Sequence, residues 1–134
     1  MGSIQWVDSL SIGVESIDDE HKKLIKIANA IVEIAKQPES KDRVIKAFSM
    51  IREYTVAHFD NEEKYMASIK YAELGAHRQE HADLKRKVKE YQTMLYHAEV
   101  ISNDEVLSFM KSWLVEHVLG SDMKIKKSNE ISKQ

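Results

Sequence analysis

The segment HRQEH, residues 77 to 81, places His77 and His81 four apart. On a helix that spacing puts both imidazoles on one face, near enough to share a metal ion. With Glu80 between them it also spells H-x-x-E-H, the inverted zinc-protease signature, in which the glutamate would do the catalysis. Two readings follow: a hydrolytic site, or one part of a larger metal centre to which other segments contribute. The other histidines, and the elements that carry them, separate the two.

With one proline and four glycines the chain has few breakers, and strand-like alternation is scarce beyond residue 17. The composition and periodicity predict an all-α protein, an up-down-up-down four-helix bundle preceded by an extended N-terminal arm. The arm, up to about Ile17, carries Trp6, Leu10, Ile12 and Gly13 without helical period, and its aromatic is expected to be buried. A first helix should start among Ser16 to Asp19, residues suited to capping, and run to the turn at Pro38 with Leu24, Ala28, Ile31 and Ala35 inward. A second, from about Ser40 to Met66, shows Phe48, Ile51, Thr55 and Phe59. A third, from about Leu74 to His97, shows Leu84, Val88, Tyr91 and Leu95. A fourth starts near Asn103 or Asp104, shows Val106, Met110 and Trp113, and should end close to Gly120. The organisation expected is one domain over 1–134, with residues 1–17 as arm, 18–122 as bundle and 123–134 as a polar, solvated tail.

Extending the stripes brings the histidines onto them. His21 precedes Leu24 by three, His58 follows Thr55 by three, His77 and His81 precede Leu84, and His117 follows Trp113 by four. Glu62 sits four after His58 on the same face. Asp122 lies five after His117, which on a straight α-helix misses that face by more than a right angle, so the helix is expected to bend or end there. Each of these residues also lies at the helix end that an up-down bundle brings together. His21, His58, Glu62, His77, His81, His117 and Asp122 should therefore converge at one end of the core. Buried carboxylates and imidazoles cost several kcal/mol apiece when unpaired, and a metal centre satisfies them all at once.

Donor counting names the metal. The chain has no cysteine, so a metal must be held by imidazole and carboxylate. Five imidazoles exceed what one catalytic zinc takes, but suit two irons bridged by two carboxylates. Of roughly twelve positions on two six-coordinate irons, imidazoles fill five, bridging carboxylates four and one shared oxo or hydroxo group two. About one position stays open, enough for one small molecule end-on.

The stretches WVDSLSIGVESIDDEH, HFDNEE, HRQEH and WLVEHVLGSD together resemble the hemerythrin family in its single-domain bacterial form, over nearly the whole chain. The resemblance implies one iron on His77, His81 and His117 and a second on His21 and His58. Glu62 and Asp122 would bridge them, and the second iron would carry the vacancy. It further implies two iron ions cycling between Fe2+ and Fe3+ with a bridging oxo or hydroxo group, and reversible binding of dioxygen rather than enzymatic turnover. Phe59, Trp113, Leu114, Val118 and Leu119 would form an apolar ligand pocket beside the ligands, as well as being bundle core. Glu80 would lie off the ligand face, at the surface or orienting an imidazole; Glu20, Glu63 and Glu116 adjoin ligands without being ligands. His97, off the cluster, should be exposed.

Rival readings lose on spacing and charge. A ferritin-like or oxygenase di-iron site needs Glu-x-x-His pairs, and none of the residues three before a histidine is glutamate. A zinc protease leaves His21, His58, His117 and Asp122 without a role. A net charge of −2 offers no field for nucleic acid. No apolar run approaches the roughly 20 residues of a membrane span, and MGSIQWVD lacks the regions of a secretory signal, so a cytoplasmic protein without a membrane partner is expected. Within the resemblance, carriage, storage or delivery of oxygen comes first because the chain has no output domain; sensing of oxygen or redox state in a signalling protein, iron storage, and handling of nitric oxide or peroxide stay open, as does any protein partner.

Overall fold

The computed structural model describes residues 4–98, 102–120 and 122–124; the side chains of Ser9 and His117 lie outside the described set. A short 3-10 turn at Asp8–Leu10 precedes four helices: α1 Glu15–Ala35, α2 Lys41–Ser68, α3 Leu74–His97 and α4 Asn103–Met110. α4 passes without interruption into a π-wound stretch, Lys111–Leu119, and helical winding resumes at Gly120 and over 122–124. No strand occurs among the described residues. α1 packs on α2 and α4, and α3 packs on α2 and on the π-wound stretch, closing the ring of an up-down-up-down bundle.

The inward stripes are those the periodicity predicts. Leu24, Ala28, Ile31 and Ala35 of α1, Phe48, Ile51, Thr55 and Phe59 of α2, and Val106, Met110 and Trp113 beyond them are all buried. On α3 the stripe shifts by one residue at its far end. Gln92 is buried and Tyr91 only half-buried, because the Gln92 amide donates to the Ile45 carbonyl and to Ser49 Oγ, both at 2.8 Å, and accepts from Arg52 Nη1 at 2.7 Å. A satisfied amide can take a core position that the apolar count assigns to a ring.

The arm differs from expectation in two respects. α1 begins at Glu15, before the expected cap, with no side-chain cap bond at Val14. Asp18, in the first turn, turns its carboxylate back onto the arm instead and accepts from the Ile12 N–H at 2.9 Å and from Ser11 Oγ at 2.5 Å. Gly13, at φ 84°, makes the reversal that this clamp requires. Farther back, the Asn29 amide bonds both the N–H and the carbonyl of Ile4 at 2.8 Å. Trp6 is half-buried rather than buried: its ring lies under Lys22 Nζ, 5.1 Å from the centroid.

The last helix also departs from expectation, because it does not end at Gly120. Residues 122–124 are helical, and Met123, expected to open the tail, packs against Ile12, Ile17, Met66 and Tyr71. That small apolar group closes one end of the bundle, apart from the main core of Leu24, Phe48, Ile51, Met110 and Trp113. The tail residues 125–134 lie outside the described residues.

Candidate metal centre

Between the two apolar groups, buried polar side chains replace the core. His21, His58 and Glu62 are fully buried, and His77, His81 and Asp122 are no more than 2% exposed. Each sits where an inward stripe continues toward the closed end. His58 and Glu62 lie one turn apart on α2, His77 and His81 one turn apart on α3, and His21 lies in the second turn of α1.

Asp122 lies just beyond the π-wound stretch. α winding separates residues five apart by more than a right angle, and i to i+5 bonding reduces that offset. The π winding covers positions 117 to 119, the first part of the five-residue step to Asp122. The widened turn is held against α3 by the Trp113 indole, whose Nε1 donates to the Leu84 carbonyl at 2.9 Å. His117 belongs to this stretch, and its side chain lies outside the described residues.

The donors form two overlapping sets. His21, His58, Glu62 and Asp122 bring one donor atom each within 4.8 Å of one another, and so do Glu62, His77, His81 and Asp122. Glu62 and Asp122 belong to both. Within the first set His21 Nε2 lies 2.6 Å from Asp122 Oδ2 and 3.2 Å from Glu62 Oε2, and His58 Nε2 lies 3.1 Å from Glu62 Oε2. Within the second, His77 Nε2 lies 3.1 Å from Asp122 Oδ1 and His81 Nε2 3.1 Å from Glu62 Oε1.

Proximity does not satisfy these atoms. His21 Nδ1, both ring nitrogens of His58, His81 Nε2, Glu62 Oε1 and Asp122 Oδ2 are buried without a hydrogen-bond partner. A buried polar atom left so costs on the order of 1–3 kcal/mol. Imidazole nitrogens and carboxylate oxygens are the donors that iron and other borderline divalent metals take, and a cation among them removes the deficit. The residues present fit a pair of metal ions.

Proton positions in the metal-free chain point the same way. Burial and the adjoining Asp122 carboxylate push Glu62 well above the usual carboxylate range. Burial would raise Asp122 too, but the adjoining Glu62, His21, His58 and His77 side chains hold it well below its ordinary value. The two carboxylates are thus pushed in opposite directions, as expected of like charges this close. For His21, the bonds to Asp122 and Glu62 outweigh burial and raise its pKa. For His81, burial outweighs the Glu63 carboxylate and lowers it.

Two of the glutamates that adjoin ligands in sequence lie against the imidazoles. Glu63 Oε2 accepts from His81 Nδ1 at 3.0 Å, and the other oxygen, Oε1, accepts from Arg78 Nε at 3.2 Å. Glu20 Oε1 lies 3.3 Å from His58 Nδ1, and Asn61 Nδ2 donates to its other oxygen at 2.9 Å. Glu80, the glutamate of H-x-x-E-H, pairs through Oε1 with Lys124 Nζ at 3.1 Å, at a partly exposed position. Glu116 is exposed. Glu63, one residue beyond Glu62, lies about 100° further round α2, and only the packing of α2 on α3 brings it to His81.

The residues expected to form an apolar pocket, Phe59, Trp113, Leu114, Val118 and Leu119, are all buried, at no more than 2% exposure. Phe59 stacks on the His81 ring at 3.8 Å between centroids and lies 5.9 Å from that of His58. Among the described residues no helix is long and apolar enough to cross a membrane.

Comparison with known proteins agrees over most of the chain. Residues 12–127 match the family model described as Hemerythrin HHE cation binding domain. A bacteriohemerythrin of Clostridium acetobutylicum is 33% identical over 121 residues, covering 87% of this chain and 94% of that one. A myohemerythrin of Riftia pachyptila is 31% identical, covering 90% and 89%. A solved structure of a hemerythrin leucine-to-alanine variant superimposes with a TM-score of 0.75 at 24% identity, covering 87% of this chain and 90% of that one, a likeness of fold. The chain belongs to the hemerythrin family.

Proposed function

We propose that this protein binds dioxygen reversibly at a non-haem di-iron centre, in oxygen storage or delivery, and is not an enzyme. The observation that carries the reading is the overlap of two four-donor sets that share Glu62 and Asp122. His77, His81 and His117 would hold one iron and His21 and His58 the other, with Glu62 and Asp122 as the ligands common to both. A bound iron pair with an oxo or hydroxo group would supply the two electrons that reversible dioxygen binding needs.

The chain's own residues keep that exchange reversible. Glu63 accepts the Nδ1 proton of His81 and so leaves the Nε2 lone pair for the metal; Glu20 stands beside His58 Nδ1 for the same purpose. Phe59 covers one face of the His81 ring, and Leu114, Val118 and Leu119 exclude water from the open position. In a dry, apolar cavity a charged oxygen species is costly to release, which favours departure of neutral dioxygen. A site built for proton transfer to a substrate would present a titratable group in that cavity. The five pocket side chains offer no such group.

The test is spectroscopic. Iron is counted, the centre reduced without air, and oxygen admitted and withdrawn. The reading expects two irons per chain and an oxygen-dependent charge-transfer band that vanishes when oxygen is removed; prompt, irreversible oxidation rules it out.

A further inference from the structure

A pocket of about 310 Å³ opens beside the centre, lined by Tyr71, Glu73, Ala76, His77, Glu80 and Lys124. His77 belongs to both compartments. It forms part of the pocket wall, is 2% exposed, and directs Nε2 inward to Asp122 Oδ1. On other sides the walls are Phe59, on the His81 ring, and the carboxylates of Glu20 and Glu63, which are already engaged by Asn61 and Arg78. A divalent cation cannot shed its hydration shell against such walls, so a way in must supply oxygen or nitrogen donors along its length. This pocket supplies them, with the carboxylates of Glu73 and Glu80 and the imidazole of His77 in its lining. Lys124 also lines it, its Nζ 3.1 Å from Glu80 Oε1, with both side chains substantially exposed at 61% and 35%. An exposed ion pair of this kind contributes about 0–1 kcal/mol and yields readily to a stronger cation.

We propose that this pocket is the passage by which a hydrated ferrous ion reaches the centre. Glu73 and Glu80 collect the cation, which displaces the Lys124 ammonium, and His77 transfers it inward by turning its ring from the pocket to the site. The proposal rests on the di-iron reading above and adds to it a transient cation site that holds no iron at equilibrium.

A passage changes rates and leaves equilibria alone, so loading and release must change by the same factor. The experiment follows Fe2+ uptake by the metal-free full chain, and Fe2+ release from the reduced, loaded chain to a ferrous chelator, at low ionic strength without air. Glu73→Gln with Glu80→Gln is expected to slow both about five-fold, an effect that fades with added salt, while Lys124→Met speeds both. Iron content at saturation stays at the wild-type value. A distant pair of equal charge, Glu53→Gln with Glu90→Gln, serves as control. Unchanged rates in the pocket variants overturn the passage and leave the di-iron reading standing, as does equal slowing by the distant pair. Reduced final iron content in the pocket variants also overturns it, since those residues would then be ligands. A wild-type chain that fails to take two irons removes both proposals together.

Discussion

The two halves of this bundle run on the same stripes and are equally buried, yet they do opposite things to stability. In one half Val44, Phe48, Ile51, Val106 and Met110 are fully buried and apolar, and burial itself stabilises the fold. In the other, the same helical spacing places His21, His58, Glu62, His77, His81 and Asp122, and burial costs free energy until a cation arrives. The apolar half holds the helices in place, and the polar half uses that rigidity to keep its donors aimed at one another. Periodicity thus fixes where a side chain goes, and residue type decides whether arriving there is favourable.

The contrast breaks most visibly at the shared carboxylates. Glu62→Ala or Asp122→Ala should each take the chain from two irons toward none, because each serves both donor sets, whereas His21→Ala or His77→Ala should weaken chiefly one position. Elemental analysis of the purified variants distinguishes these outcomes. The far half gives the reverse pattern. Phe48→Ala leaves a cavity in the apolar core and should lower unfolding stability by about 3–5 kcal/mol, while the folded fraction still carries two irons.

A smaller effect sharpens the boundary between ligands and their neighbours. Glu63→Gln should lower iron affinity about 10- to 100-fold by releasing His81 from its orienting partner, read by competition with a chelator. The same substitution at Glu80 should leave equilibrium affinity unchanged, since its carboxylate faces Lys124.

The smallest effect lies at the apolar end. Tyr91 is half-buried, stacks on Phe109 at 3.9 Å, and burial pushes its hydroxyl up to about 12. With a folded value above the ordinary 10, the native state keeps a proton that the unfolded chain gives up, so stability falls as pH rises from 10 through 12. The Tyr91 hydroxyl has no hydrogen-bond partner among the described residues, so Tyr91→Phe should cost little at neutral pH and should reduce the alkaline loss, as urea unfolding at several pH values would show.

Most of the fold was legible because a bundle is written in period. The apolar spacing gave the span of α3, Leu74–His97, and the faces of α1 and α2 directly. The histidines became legible as a group only when angular and axial positions were combined, since each alone is an ordinary core residue. What stayed hidden depends on the backbone leaving that period or on contacts between elements. The π winding of Lys111–Leu119 leaves the α period just before Asp122, where the sequence showed a five-residue misfit but not the change of winding. Glu63 reaches His81 across two helices, a pairing that spacing along one helix does not report. The arm is held by Asp18 and Asn29, polar residues whose partners lie far along the chain or outside the helix.

The central claim is that two irons sit against opposite edges of a shared carboxylate pair. Anomalous diffraction at the iron edge from crystals of the loaded chain measures this directly. The account predicts two peaks about 3.5 Å apart. One lies beside His21 and His58 and the other beside His77 and His81, with Glu62 and Asp122 touching both. A single peak, or two peaks that do not share those carboxylates, would contradict it.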